Sequence, residues 1–101
     1  MTIFISGKIT GDENYKEKFK KAKDNIRKFY PEAAIISPTD IELFNMTYID
    51  CLDVTLKLLE KSDIIYMLPD WRNSHGAKKE YNMARRLNKE IRFYEGIKKY
   101  E

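Results

Sequence analysis

The chain contains few of the residues that cross-link a small protein or bind a metal. It has one cysteine, Cys51, and one histidine, His75, so no intrachain disulfide can form and a zinc site would lack its usual ligands. It also has no long apolar run and no basic segment at its start. We therefore predict no membrane span and no signal peptide. We therefore expect a cytoplasmic protein without a metal, another cofactor or a membrane partner.

An excess of charge of one sign is also absent. Charged residues make up 35% of the chain, but the formal net charge is only +3 because acids and bases alternate. This balance argues against a nucleic-acid partner. The lysine-rich run at residues 16–28 is interpreted as the solvated face of a helix. With 101 residues, the chain is long enough for one core, and we treat residues 1–101 as a single domain.

Short apolar runs alternate with helical patterns along the chain. The runs predict strands at residues 2–6, 33–37, 63–68 and 90–95. Apolar residues at helical spacing predict helices at residues 14–30, 48–61 and 75–88. A short turn is also expected around residues 41–44. Alternation of this kind predicts an α/β fold, in which right-handed crossovers build a parallel sheet with helices on both faces.

Polar residues gather in the loops that follow the predicted strands. In an open parallel sheet, ligands bind outside the carboxyl ends of the strands. The candidate ligand-binding residues at this edge are Ser6, Gly7, Lys8, Thr10, Asp50, Trp71, Arg72, Ser74 and Gly76. The amides of the glycine-bounded first loop could hold a phosphate or a sugar hydroxyl, or the loop could be a plain turn. Asp63 opens its strand at the opposite end, so we expect a structural role for it.

Three residues of the third loop allow more than one interpretation. Trp71, the only tryptophan, could stack on a planar base, contact another subunit or anchor the loop locally. Ser74 stands where a helix N-cap is expected. His75 has a side chain suited to acid–base chemistry, but a surface position is more common for a histidine near a helix start.

Glu80 interrupts the apolar pattern of its helix. Ala77 lies three residues before it and Ala84 four after it, which places Glu80 on the stripe that should face the core. Its carboxylate could extend out to solvent or pair with a lysine or arginine. Alternatively it is a nucleophile or base in a cleft, where burial and the helix N-terminus act oppositely on its charge. A poorly solvated carboxylate is suited to attack on a sugar carbon.

Two segments, "IFISGKITG" and "LPDWRNSHGAKKEYNMAR", resemble small nucleoside 2-deoxyribosyltransferase-like proteins of the DUF4406 group, many of them from phages and bacteria. The resemblance implies a flavodoxin- or Rossmann-like three-layer α/β/α sandwich with a four-stranded parallel sheet. It also implies that Glu80 is the nucleophile and that the first loop lines the sugar and base. The transferases have an aspartate where this chain has Thr55, and Asp50 and Asp53 are near this position but out of register. Asp70 in the third loop could instead be the acid that protonates the leaving base.

Two functions of different class remain open. The first is an enzyme that cleaves or transfers an N-glycosidic bond with Glu80 as nucleophile. The second is a non-catalytic binder, a phage-encoded sponge for a nucleotide-derived signal such as an ADP-ribose derivative, with Lys8, Arg72 and Trp71 holding phosphate and base. Both have a nucleoside- or nucleotide-like small molecule as partner. Surplus apolar residues such as Met83 suggest a homodimer.

Overall fold

The computed structural model describes residues 1–40 and 48–95, and of residues 48–52 only the helical backbone. The strands are β1 (Thr2–Ser6), β2 (Ala34–Ile36), β3 (Ile64–Met67) and β4 (Glu90–Phe93). The helices are α1 (Tyr15–Phe29), α2 (Tyr48–Glu60) and α3 (His75–Arg86). All bounds agree with the predicted ones to within two residues, whereas the turn expected around residues 41–44 lies outside the described residues. None of the helices in the described ranges is long and apolar enough to span a membrane.

All four strands run parallel, in the order β2-β1-β3-β4. The chain leaves β1 for β2 at one edge, returns past β1 to β3, and continues to β4. The two directions of travel require helices on opposite faces if all crossovers have the same hand. The sheet therefore places α1 on one face and α2 and α3 on the other.

A separate hydrophobic core on each face confirms this layering. On one face, Phe19 of α1 belongs to the same buried cluster as Ile5 of β1. On the other, Leu59 of α2 and Ala84 of α3 are clustered with Phe4 of β1. Neighbouring residues of β1 thus point to opposite faces, and both faces are covered. The predicted three-layer α/β/α sandwich with a four-stranded parallel sheet is confirmed.

Local contacts explain where several elements begin and end. α1 ends before Pro31, a residue that cannot continue a helix. α3 begins after Ser74, whose hydroxyl accepts a hydrogen bond from the Ala77 amide at 3.1 Å, so the predicted N-cap is confirmed. The Asp63 carboxylate accepts from the Thr2 amide at 2.8 Å. That bond ties the start of β3 to the start of β1, which is the kind of structural role expected for this residue.

Candidate functional site

The order of the strands determines where a ligand can bind. The connections from β1 and β3 lead in opposite directions, so a crevice is expected outside the carboxyl ends of these two neighbours. The first loop (residues 7–14) leaves β1 here, and the third loop (residues 68–74) leaves β3. The Leu68 amide donates to the Ser6 carbonyl at 2.8 Å, which continues the pairing of the strands into the start of the third loop.

Gly7 lets the two loops start in close contact. A Cβ atom at this position would lie 2.7 Å from Leu68 Cδ1 and 2.9 Å from Leu68 Cβ. Both distances are well inside van der Waals contact, and Leu68 is fully buried. The glycine is therefore needed for the approach of the two chain segments, whether or not its amide also binds a ligand.

Glu80 is the centre of a buried polar cluster at this edge. Its side chain is only 5% exposed, and Ser6 Oγ donates to its Oε1 at 2.5 Å. The Thr55 hydroxyl is a second hydrogen-bond partner. These three residues come from α3, β1 and α2. No lysine or arginine among the described residues pairs with Glu80, so the alternatives in which it reaches solvent or forms an ion pair are wrong.

The buried surroundings of Glu80 favour the neutral form of its carboxyl more than water does for an exposed carboxyl. Burial raises the pKa of Glu80 from 4.5 to about 7, while the hydrogen bonds from Ser6 and Thr55 act in the opposite direction. Both protonation states are therefore populated near neutral pH. A weakly solvated carboxylate of this kind is chemically able to act as a nucleophile or base when ionised and to donate a proton when neutral.

Asp70 contacts the first loop and α1. Its Oδ1 accepts from the Lys8 amide at 3.0 Å, and its Oδ2 forms an ion pair with Lys18 Nζ. The described contacts of Asp70 do not include one with Glu80. Most charged residues of the run at residues 16–28 are exposed, as interpreted from the sequence, but Lys18 is an exception, with a side chain that is only 25% exposed.

Trp71 packs against other side chains of its own chain. Its ring stacks on Tyr81 with 4.4 Å between the ring centroids, and the Arg72 guanidinium lies over it at 5.2 Å. Phe93 completes the aromatic group at 6.2 Å. Trp71 is thus the local anchor that the sequence allowed, and a stacking role toward a ligand remains a prediction.

The other candidate residues are dispersed over the first loop and the first turns of α2 and α3. Thr10 and His75 are exposed, and Gly76 is half-buried in the first turn of α3. Asp50 lies in the first turn of α2, and its side chain is outside the described residues. In the part of the chain that the structure describes, no three His, Cys, Asp or Glu side chains are grouped as metal ligands would be.

Two residues of the site were assigned no role in it from the sequence. Thr55 stands on the apolar stripe of α2 and was noted only as a departure from the transferases, although a polar residue on such a stripe suggests a buried hydrogen bond. Lys18 was counted with the solvated lysines. It lies three residues after Tyr15 and four before Ala22 on α1, a spacing that places it beside the apolar stripe.

The fold is that of the deoxyribosyltransferases. The structure is similar to the 2-desoxiribosyltransferase from Leishmania mexicana, with a TM-score of 0.68 and 17% identity over 92% of this chain. The match covers 63% of that chain, so this protein spans less than two thirds of its neighbour's length. The model of the family described as Domain of unknown function (DUF4406) matches residues 1–93, and the chain belongs to this family. No curated protein sequence matches it.

Proposed function

We propose that the protein binds a nucleoside or nucleotide at the carboxyl edge of the sheet and cleaves or transfers its N-glycosidic bond with Glu80 as nucleophile. The observation that carries this proposal is the buried Glu80 carboxyl at the carboxyl ends of β1 and β3. It is held by two hydroxyls, and no lysine or arginine of the described residues neutralises it. The name of the solved neighbour, a 2-desoxiribosyltransferase, supports a nucleoside-type ligand.

The proposed reaction has two steps with the same carboxylate. An ionised oxygen of Glu80 attacks C1′ of the sugar, the C1′–N bond breaks, and its electron pair leaves with the base. Water then attacks C1′ of the glycosyl ester, which releases the sugar and restores the carboxylate. One proton of that water replaces the one that the departing base takes up. In a transfer reaction, a second base replaces the water.

The hydroxyls of Ser6 and Thr55 would orient the carboxylate during attack. Because the reaction needs the ionised form, and burial raises the pKa of Glu80 to about 7, the rate should increase as the pH rises through this value. Above it, the rate should level off, since Glu80 is then fully ionised.

The test is mass spectrometry after incubation with a pool of nucleosides, 2′-deoxynucleotides and ADP-ribose. Wild type, Glu80→Gln and the control Glu60→Gln are compared, Glu60 being an exposed glutamate at the end of α2. Free base released by wild type and Glu60→Gln, with a loss of at least about a hundredfold in Glu80→Gln, supports the proposal. Base released equally by Glu80→Gln overturns it.

A second function, binding without turnover, is favoured by the small exposure of Glu80. A side chain that is 5% exposed offers an attacking oxygen only if the surrounding hydroxyls move. In a binder, the same carboxyl would instead hold Ser6 and Thr55 in place beside the bound ligand. A pool member carried intact through desalting by wild type and Glu80→Gln alike would identify this function. Failure to retain or cleave any pool member would exclude both functions for these ligands.

A further inference from the structure

Lys18 joins three segments of the chain at the edge of the proposed site. Its ammonium donates to the Lys8 carbonyl at 2.7 Å and to Asp12 Oδ2 at 2.6 Å, and it pairs with Asp70 Oδ2. Three oxygen acceptors match the three protons of an ammonium group. The same contacts hold the pKa of Asp12 below its usual value, chiefly through the hydrogen bond from Lys18.

Asp70 holds the first loop with both of its carboxylate oxygens. One accepts directly from the Lys8 amide, and the other reaches the Lys8 carbonyl through the Lys18 ammonium. The peptide groups on both sides of Lys8 are thereby fixed to the third loop. Lys8 lies two residues after Ser6, the residue that donates to Glu80, so the backbone held by Lys18 and Asp70 continues directly into the proposed active centre.

We propose that Lys18 and Asp70 form a positioning pair that holds the first loop in its ligand-binding conformation, and that Asp70 is not the acid for the leaving base. The inference depends on the proposed function, since the ligand in question is the one cleaved at Glu80. When the loop is already ordered, binding of the ligand does not include the entropy cost of ordering the loop. That benefit applies equally to the bound substrate and the transition state, so losing it should raise KM and leave kcat nearly unchanged.

A positioning role and an acid role of Asp70 predict different kinetic effects for the variants Asp70→Asn and Asp70→Ala. Asn retains an oxygen that can accept from the Lys8 amide, whereas Ala does not. For a positioning residue, Asp70→Asn should therefore raise KM less than Asp70→Ala does, since it loses the ion pair with Lys18 but keeps the acceptor for the Lys8 amide. For an acid, both variants should be equally impaired in kcat, because neither side chain can supply the proton.

The experiment measures kcat and KM with each of the four 2′-deoxynucleoside 5′-monophosphates as probe. We expect Lys18→Met and Asp70→Ala to raise KM by about tenfold, with kcat within about twofold of wild type. Their double variant should raise KM more than either single one, because Lys18→Met leaves the bond from the Lys8 amide to Asp70 and Asp70→Ala leaves the bond from Lys18 to the Lys8 carbonyl. The increase should be less than the product of the two single effects, because both variants lose the contact between Lys18 and Asp70. The matched control is Lys21→Met, which alters an exposed lysine of the same helix that pairs with Glu17, and it should resemble wild type.

A loss of kcat of about a hundredfold shared by Asp70→Asn and Asp70→Ala, but not Lys18→Met, overturns the proposal in favour of an acid.

Amide hydrogen exchange gives a reading that does not need turnover. The Lys8 amide should exchange at least about tenfold faster in Lys18→Met and Asp70→Ala than in wild type and Lys21→Met. If no probe is cleaved, the proposed function fails for these nucleotides, while faster exchange at Lys8 in both variants still supports the positioning pair. Unchanged exchange at Lys8 overturns the pair whatever the activity shows.

Discussion

At the scale of single residues, the contact between Gly7 and Leu68 gives a direct prediction. A methyl group at Gly7 would meet Leu68 Cδ1 at 2.7 Å, and Leu68 is part of the buried core. Gly7→Ala should therefore lower the free energy of unfolding by about 1–3 kcal/mol, the usual effect of overpacking. Urea denaturation followed by circular dichroism measures this change.

The partner of the clash supplies the control for this prediction. Leu68→Ala alone should cost about 2–5 kcal/mol through the cavity it leaves. In the double variant the new methyl group has space. The loss of unfolding free energy in the double variant should therefore be smaller than the sum of the two single losses. Strict additivity would mean that the effect of Gly7→Ala arises from the backbone and not from Leu68.

The site also shows which residue-level properties a sequence reveals. Glu80 was recognisable because a carboxylate on an apolar stripe conflicts with the helical period around it. Asp70 was recognisable as a loop carboxylate at the carboxyl edge of the sheet, but its ion-pair partner Lys18 was not. The ion pair with Lys18 joins residues 52 positions apart in sequence, and such pairing depends on how α1 lies on the sheet. Thr55 was missed as a partner for the same reason, since its bond to Glu80 depends on the packing of α2 against α3.

At the scale of the elements, α3 depends on its first turn. Ser74 accepts from the Ala77 amide at 3.1 Å, and this helix carries Glu80 in its second turn. Ser74→Ala should lower the free energy of unfolding by about 1 kcal/mol, because an amide at the helix start loses its acceptor. Thermal denaturation is the measurement. Ser74→Asp, which retains an acceptor, should be close to wild type, and a loss equal to that of Ser74→Ala would exclude capping as the cause.

The elements were the most predictable level of this structure. β1 could be recognised because it is a continuous apolar run, and four of its five residues are buried. α1 and α3 could be recognised from apolar residues at helical spacing on otherwise charged segments. The order of strands in the sheet requires more than local patterns. It places the β1 and β3 ends side by side and thus determines that Ser6, rather than a residue of β2, reaches Glu80.

At the scale of the whole molecule, the Glu80 cluster makes stability depend on pH. Ser6, Thr55 and Glu80 come from three elements that meet only in the folded state. In the unfolded chain Glu80 should have its ordinary pKa of 4.5, whereas burial raises the pKa to about 7 in the folded protein. The folded state therefore retains this proton to higher pH. Its stabilising effect is complete below the unfolded pKa and is lost as the pH rises through the folded one.

This linkage predicts that the wild type becomes less stable between about pH 5 and about pH 8.5, by an amount on the order of 3 kcal/mol from Glu80 alone. Glu80→Gln is neutral at every pH and can still accept from Ser6, so its stability should be nearly constant over this range. At the alkaline end the variant should be the more stable protein. Urea denaturation at several pH values measures both curves, and Glu60→Gln, altered at an exposed position, should retain the wild-type slope.

The outcome bears on function as well as on folding. A buried carboxyl that serves only packing would gain from being an amide, since the amide cannot become a buried charge. Glu80→Gln that is inactive yet more stable than wild type at alkaline pH would show that the ionisable group is kept for its chemistry, as residues of active sites often are at a cost in stability. If the slope persists in Glu80→Gln, another group causes the pH dependence, and the proton that stabilises the folded state is not bound by Glu80.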